Sequence, residues 1–337
     1  NARTARALRR IRGDARFALT GTPVENRLTE LWAILDWTTP GLLGPLHAFR
    51  TDVALPIERY QDEEVAETLR RIVRPFLLRR KKSDPTIAPD LPPKTEIDRI
   101  MPLTVEQATL YRAVTDEVLA QIESAQGMAR RGLVLKLLTA LKQICNHPAQ
   151  YLHQAGPLTG RSGKLDGATE LLEIVTAEDE AALVFTQYVA MGRLLESHLT
   201  ERGLRTFFLH GSLSIGGRED LVARFQAGEA DAFVISLRAG GTGINLTRAT
   251  HVVHYDRWWN PAVEDQATDR AWRIGQSRPV EVHRLICEGT VEDRIATLLA
   301  TKRDLADAVV GAGEAWISDL DDEALAELVE LSVGGGS

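Results

Sequence analysis

The sequence predicts an α/β protein built on a parallel, doubly wound sheet, with a stretch of helices ahead of that sheet. Three observations carry this expectation. Downstream of Gly156-Pro157, short β-rich runs (ALVFTQ, RTFFLHG, AFVISL, HVVHYD, VEVHRLI) alternate with amphipathic runs (KLDGATELLEIV, MGRLLESHLTERG, REDLVARFQAG), the pattern of parallel strands joined by crossover helices. Between residues 41 and 155 the apolar positions recur at three and four, most clearly in VEQATLYRAVTDEVLAQIES and GLVLKLLTALKQIC, and no strand alternation stands out. At 337 residues with 44% hydrophobic content, the chain is long enough for two domains with ordinary cores.

The elements follow in order. From residue 1 to 13, alternating Ala, Leu and Arg read as the back half of a basic helix. ARFALTGTP then reads as a short buried strand, Ala15 to Leu19, running into a turn stopped by Pro23. A helix with apolar Leu28, Leu31, Trp32 and Leu35 follows, and Pro40-Gly41 ends it. Asp90-Leu91-Pro92-Pro93-Lys94 forms an extended joint within the helical stretch, because a residue before proline is driven out of the helical region. After the last strand, TVEDRIATLLATKRDLADAVV is expected as a long closing helix with Ile295, Leu298, Leu299 and Leu305 in one stripe. The acidic run DLDDEALAELVE and the final GGGS read as a solvated, flexible tail. The chain opens on Asn1 in a helical pattern, so the expectation is a piece of a longer protein.

Composition excludes several classes. No apolar run reaches transmembrane length and no signal peptide is visible, and Cys145 and Cys287 alone make no disulfide framework, so a cytoplasmic protein with no membrane partner is expected. Cys145 stands close to His147 in QICNHP, but two further ligands at metal spacing are missing, which favours a packed thiol over a zinc site. The net charge of -7 argues against a uniformly basic surface but averages over faces. Local basic clusters exist at Arg3, Arg6, Arg9, Arg10 and Arg12, at Arg79-Arg80-Lys81-Lys82 and at Arg130-Arg131.

The residues with chemical content lie in loops after strands, where open α/β sheets bind ligands. DQATDRAWRIGQ, Asp265 to Gln276, reads as a short helix ending in Gly-Gln. At about 100° per residue Gln266, Arg270 and Arg273 share a narrow arc of it. Two readings stand side by side: weak ion pairs from Asp269 to Arg273 and from Asp265 towards Arg270, or a face that meets a phosphate through two planar, permanently charged forks. In SLRAGGTGINL, Gly240, Gly241 and Gly243 let backbone amides approach an anion and Thr242 adds a hydroxyl, although glycines also serve plain turns. Thr20-Gly21-Thr22-Pro23 sits likewise at the expected strand's end, where a threonine capping a helix is the simpler account. The phosphate-binding pattern Gly-x4-Gly-Lys-Ser/Thr is missing: Leu165 follows Gly163-Lys164, and Leu158 stands where the first glycine belongs. No Asp-Glu box follows a strand.

Together these residues resemble the Swi/Snf-type ATP-dependent DNA translocases of helicase superfamily 2, in a bacterial-like form. LTGTPVEN (19–26), RPFLLRRKK (74–82), LPPK (91–94), LKQICNHP (141–148) and SGKL (162–165) match that family's segments. LVFTQY, FFLHGS, the block SLRAGGTGINLTRATHVVHYDRWWNP and QATDRAWRIGQ follow in the family's order. The resemblance implies two RecA-like lobes that close over ATP and Mg2+ while gripping a DNA duplex. It implies that residues 1–40 end the first lobe, 41–155 form helical protrusions, 156–311 form the second lobe with a brace helix, and 312–337 are the acidic tail.

By the same resemblance Arg270 and Arg273 are arginine fingers presented to the γ-phosphate, with Gln266, Gly241 and Gly243 also at the ATP site. Thr20, Gly21 and Thr22 would couple the lobes. Backbone contacts to double-stranded DNA fall to His210, Gly211, Ser212, Arg238, Thr242, Trp259 and Asn260, and DNA-bound proteins are the further partners implied. ATP and Mg2+ belong to the longer protein, and this chain alone is expected to bind neither tightly and to lack ATPase activity. A strand-separating helicase, a DNA-binding and docking module without catalysis, and an inert α/β scaffold are the competing readings.

Overall fold

A computed structural model describes residues 11, 13–20, 27–60, 62–78, 80, 82, 88–236, 244–258, 260–297 and 320–332. The chain divides into two compact units, Asn1–Arg79 with Thr301–Trp316, and Arg80–Ala300 with Ile317–Ser337.

The first unit is helical where it is described. Helix α1 (Leu28–Thr38) buries Leu28, Leu31, Trp32 and Leu35, the i, i+3, i+4, i+7 stripe legible in the sequence. Its first amide donates to Glu58 at 2.6 Å, and the Trp32 indole donates to the Gly44 carbonyl at 3.0 Å. Helix α2 (Leu46–Phe49) continues through a π turn (Arg50–Ala54) into α3 (Leu55–Tyr60). Helix α4 (Glu63–Val73) starts on an Asp62 cap. Phe49, Ala54, Ile57, Ala66, Leu69 and Val73 complete one core with the α1 stripe. The strand expected at Ala15 to Leu19 does not form: these residues are extended coil, with Phe17 83% and Leu19 97% exposed. A single strand satisfies its backbone only beside another, and this unit holds no strand among the described residues.

The second unit carries one six-stranded sheet in the order β1-β6-β5-β2-β4-β3, parallel throughout. Its strands are β1 (Lys94–Met101), β2 (Ala182–Thr186), β3 (Thr206–Leu209), β4 (Ala232–Ser236), β5 (His251–His254) and β6 (Val280–Cys287). β2 and β4 are buried along their whole length, and their apolar runs need no alternation because helices cover both faces. One face receives α8 (Gly163–Ala177) and α9 (Val189–Glu201) through Leu165, Leu172, Met191 and Leu195. The other receives α10 (Ile215–Gln226) and α11 (Pro261–Thr268) through Phe225 and Ala267. At Gly192 a Cβ would lie 2.3 Å from the Phe208 ring, so glycine sets how closely α9 approaches β3.

β1 corrects the expectation that residues 41 to 155 hold helices and an extended joint but no strand, since Lys94–Met101 pairs with Val280–Cys287 as a sheet edge. Its sequence KTEIDRIM hides a strand because an edge tolerates charge. Arg284 on β6 holds Asp98 at 2.5 Å and Glu96 at 2.8 Å, and Arg99 donates to His283 at 3.1 Å. The helices that follow, α5 (Val105–Glu123) and α6 (Gly127–Asn146), lie in the stretch where helical periodicity is strongest. A capping box of Thr104 and Gln107 opens α5. Helix α7 (Pro148–Leu152) follows on a His147 cap, and α12 (291–297) leaves β6.

The expectation of a flexible acidic tail is also corrected. Asp321 caps α13 (Asp322–Val329), which buries Leu325, Leu328 and Val329 and packs on α5. Arg130 donates to Asp322 at 2.6 Å and to the Leu320 carbonyl at 2.7 Å, and the Ser332 amide reaches Gly289. The acidic residues face outward and the leucines inward, so the charge run is one side of an amphipathic helix. Leu325→Ala is expected to cost about 2–5 kcal/mol in chemical denaturation of the whole chain. An unchanged midpoint would return this segment to a solvated tail.

Candidate functional site

At the carboxyl ends of the central strands lies a buried polar network. Lys164 and Glu292, 0% and 1% exposed in their side chains, pair at 2.7 Å. Burial opposes the Lys164 charge, but the facing Glu292 carboxylate outweighs it and holds the ammonium above the usual lysine range. The SGKL block thus works as a brace: Ser162 caps α8, Lys164 reaches Glu292, and Gly163 admits the Pro102 carbonyl, which a Cβ would meet at 2.1 Å.

Asn146 joins this pair to the sheet. Its amide donates to Asp256 at 3.3 Å and to Gln150 at 3.2 Å, and its carbonyl accepts from Ser162 and from Tyr255. Asp256, just past β5, accepts from the Thr186 hydroxyl at 2.5 Å and the Gln187 amide at 2.9 Å. Burial raises its pKa, against the pull of Lys142. Lys142 and the Gln187 side chain both donate to the Arg257 carbonyl at 2.7 Å. The loops after β2 and β5 are therefore held by LKQICNHP residues from α6. Cys145, Cys287 and Glu292 meet in the same place, where the Lys164 ammonium supplies the cationic charge and burial raises the Cys145 thiol far above its ordinary value.

The arginine segment differs from its expected form. Helix α11 stops at Thr268, so Arg270 and Arg273 lie in the irregular turn beyond it and share no helix face with Gln266. Gly275, at φ +100°, lets the chain double back. Gln276 then clamps the turn: its amide donates to Thr247, Ala249 and Ala271, and its oxygen accepts from Ser277 and Arg278. Asp269 pairs with Lys82 at 2.9 Å and not with Arg273, which corrects the i, i+4 ion-pair reading. Lys82 also donates to the Trp272 carbonyl, and the Trp272 indole donates to Pro92 at 2.8 Å. Two of the basic and proline-rich blocks thus anchor the turn.

Arg273 is exposed and makes no ion pair among the described residues. Arg270 is 8% exposed, and burial together with the like charge of Arg273 holds it below the usual arginine range. A pair of neighbouring guanidiniums, one of them desolvated, gains from an anion placed between them. Gln266 is half-buried on α11.

The β3 loop brings His210 and Ser212 together at 2.7 Å, and the Gly211 carbonyl accepts from Arg218 at 3.0 Å. Asn260 accepts from the Ala262 amide at 2.9 Å, capping α11. Thr20 is exposed. Gly21, Thr22, Arg238, Gly241, Thr242, Gly243 and Trp259 lie outside the described residues. Among the described residues no helix is long and apolar enough to cross a membrane.

Residues 1–150 match the model of the SNF2-related domain, and residues 163–275 that of the helicase conserved C-terminal domain. A SWI2/SNF2 ATPase core from Sulfolobus solfataricus in complex with dsDNA is 41% identical, with a TM-score of 0.65, over 98% of this chain and 70% of that one. The chain belongs to the SWI2/SNF2 family. Its sheet is the RecA-like α/β fold of that family. The C-terminal domain of the Sulfolobus ATPase matches 71% of this chain over its own full length, at 39% identity and a TM-score of 0.62. A putative ATP-dependent helicase/translocase of Bacillus subtilis, YwqA, is 48% identical over 97% of this chain and 36% of its own length. The chain thus spans about a third of that relative.

Sequence reasoning missed Gln276, Lys82 and Glu264, whose roles depend on partners distant in the chain or buried. Glu264 pairs with Arg257 at 2.8 Å, while its neighbour His254 bonds Thr268 at 3.0 Å and has its pKa pushed down to about 4 by burial.

Two outcomes are expected. Lys164→Met leaves Glu292 charged without its ammonium and is expected to cost about 3–5 kcal/mol in denaturant unfolding, part of which Glu292→Leu in the same chain restores. For His254 the folded pKa lies below the unfolded value of about 6.5, so the unfolded chain binds the extra proton first. Stability present above about pH 6.5 is therefore expected to fall, by roughly 3 kcal/mol, as the pH drops to about 4. His254→Gln should remove that part of the slope, read from urea midpoints across this range.

Proposed function

We propose that this chain is the C-terminal portion of an ATP-dependent translocase on double-stranded DNA, in which hydrolysis drives movement along the duplex and remodelling of protein–DNA complexes. The observation that carries the proposal is the arginine turn: Arg270 and Arg273 are held together by Gln276, Asp269–Lys82 and Trp272–Pro92 on the second unit. Such a rigid mount suits guanidiniums that neutralise charge on a transferring phosphoryl group, an effect worth on the order of 10³–10⁵ in rate. ATP and Mg2+ are bound in this reading mainly by residues that the chain lacks, since it contains no Gly-x4-Gly-Lys-Ser/Thr. Gln266, Gly241 and Gly243 complete the nucleotide side.

Duplex contact is to the phosphates, because movement along DNA requires indifference to sequence. His210, Gly211, Ser212, Arg238, Thr242, Trp259 and Asn260 are the assigned contacts, with Thr20, Gly21 and Thr22 coupling the two lobes. The dsDNA bound by the Sulfolobus core supports this partner, and the Bacillus relative's printed description supports the ATP-dependent class. For a bacterial-like form this partner goes with a cytoplasmic, nucleoid-associated location. The domain reading keeps residues 1–40 as the end of the first lobe and 156–311 as the second lobe with its brace helix.

The test is ATP turnover by the longer protein with and without duplex DNA. Arg273→Ala is expected to lower duplex-stimulated turnover by at least about 10³ while DNA affinity changes little, and the 337-residue chain by itself is expected to show no turnover. Loss of DNA binding in that variant would move Arg273 from catalysis to gripping the backbone.

A further inference from the structure

Near the amino ends of β5 and β6, three side chains from two strands converge on one point. Glu281 and His283 stand two residues apart on β6, so both leave the same face of the sheet. The parallel register sets His251, the first residue of β5, beside Glu281. His251 Nδ1 lies 3.1 Å from His283 Nε2, and a Glu281 carboxylate oxygen lies 3.7 Å from that Nε2 and 4.0 Å from that Nδ1. Ligand atoms around a tetrahedral zinc ion, each about 2.0–2.1 Å from it, stand about 3.3 Å apart. The two histidines are buried and the Glu281 side chain is 48% exposed, so the carboxylate is the side open to solvent.

The other ring nitrogens are held as well. His251 Nε2 donates to Glu180 at 2.8 Å, and the Thr250 hydroxyl and Arg278 fix Glu180 in turn. A histidine that ligates a metal commonly donates its second ring N–H to a carboxylate, which orients the ring and makes it a stronger ligand. Arg99 Nε donates to His283 Nδ1 at 3.1 Å. Arginine only donates, so His283 is neutral and carries its proton on Nε2, where it bridges to His251 Nδ1.

We propose that His251 Nδ1, His283 Nε2 and the Glu281 carboxylate form a binding site for a divalent transition-metal cation such as Zn2+, with water as the fourth ligand. Two imidazoles and one carboxylate suit such a cation better than Mg2+ or Ca2+, which take oxygen ligands. The cation takes the place of the proton that bridges the two rings. That proton moves to Nδ1 of His283, so none is released, and Arg99 turns off Nδ1 to make room for it. Arg99 has the freedom to do so, being half-buried on the edge strand β1. Arg99 is therefore a built-in competitor: its donated hydrogen bond holds His283 in the tautomer that cannot ligate, and its charge opposes the cation. A bound ion ties β5 to β6 beside the strand that closes the sheet. The site uses none of the residues assigned to ATP or the duplex and stands independently of that reading.

The test is titration of Zn2+ into the 337-residue chain after treatment with a chelator, read by calorimetry and by the thermal midpoint. The wild type is expected to take up one Zn2+ per chain and to melt at a higher temperature, because a ligand of the folded state stabilises it, while Mg2+ leaves the midpoint unchanged. Glu281→Gln changes only the exposed ligand and is expected to weaken Zn2+ at least about tenfold, with the metal-free midpoint little altered. Arg99→Gln removes the competing charge and offers an amide oxygen to the Nδ1–H of His283, so it is expected to tighten Zn2+ by about tenfold. Co2+ in place of Zn2+ should bind without thiolate absorption bands, which separates this site from Cys145 and Cys287. Failure of both the wild type and Arg99→Gln to bind Zn2+ would overturn the assignment. Binding that neither substitution alters would mark an adventitious surface ion, and thiolate bands would move the ion to the cysteines; either result overturns it as well.

Discussion

Lys164 holds its charge with no water around it, and the rest of the second unit is arranged so that it can. An ammonium so buried persists only beside an opposite charge at hydrogen-bond distance, and Glu292 supplies it from the start of α12. The pair brings α8 and the segment after β6 to one point. Asn146 carries the connection to Asp256 and so to the loops leaving β2 and β5. These loops are where an open parallel sheet presents its ligand-binding groups. A network of this kind is fully satisfied or else destabilising, so it specifies a single relation between the helices and the sheet.

The arginine turn depends on a second, smaller set of constraints of the same character. Its residues have no regular hydrogen-bond ladder, because the helix that precedes them has ended. Gln276 replaces that ladder with five hydrogen bonds from one side chain. Lys82 and Pro92 arrive from the segment leading into β1 and fix Asp269 and Trp272 on either side of Arg270. The turn is therefore mounted on the edge of the sheet that β1 completes. The segment leading into that edge strand holds the arginine turn through Lys82 and Pro92.

The polar groups at the far end of β5 and β6 show how the same sheet separates tasks. His251 and His283 stack with centroids 5.4 Å apart, and their hydrogen-bonded chain runs from Arg99 to Glu180. Burial, and then the nearby Arg99 charge, push His283 down to about 3, so it stays neutral and the chain of donors and acceptors closes on itself. This end of the sheet is satisfied internally. The opposite end opens on a cavity lined by Gln143, Gln150 and Gln187.

Much was legible in the sequence because it depends on neighbours along the chain. The apolar runs of β2 and β4, the stripe of α1, the periodicity of α5 and α6 and the missing phosphate-binding pattern follow from local spacing, and so did the α/β class. The strand β1, the inward leucines of α13 and the unpaired fate of Ala15 to Leu19 did not, since each turns on whether a distant partner is there to bury or bond it. The same holds at the site. Spacing placed Arg270 and Arg273 near one another, but their mount belongs to Gln276, Lys82 and Trp272, and the Gly-Lys of SGKL became a brace once Pro102 and Glu292 came against it. Local propensity is set by a few bonds, whereas the role of a charge is set by whatever the fold brings within about 3 Å of it.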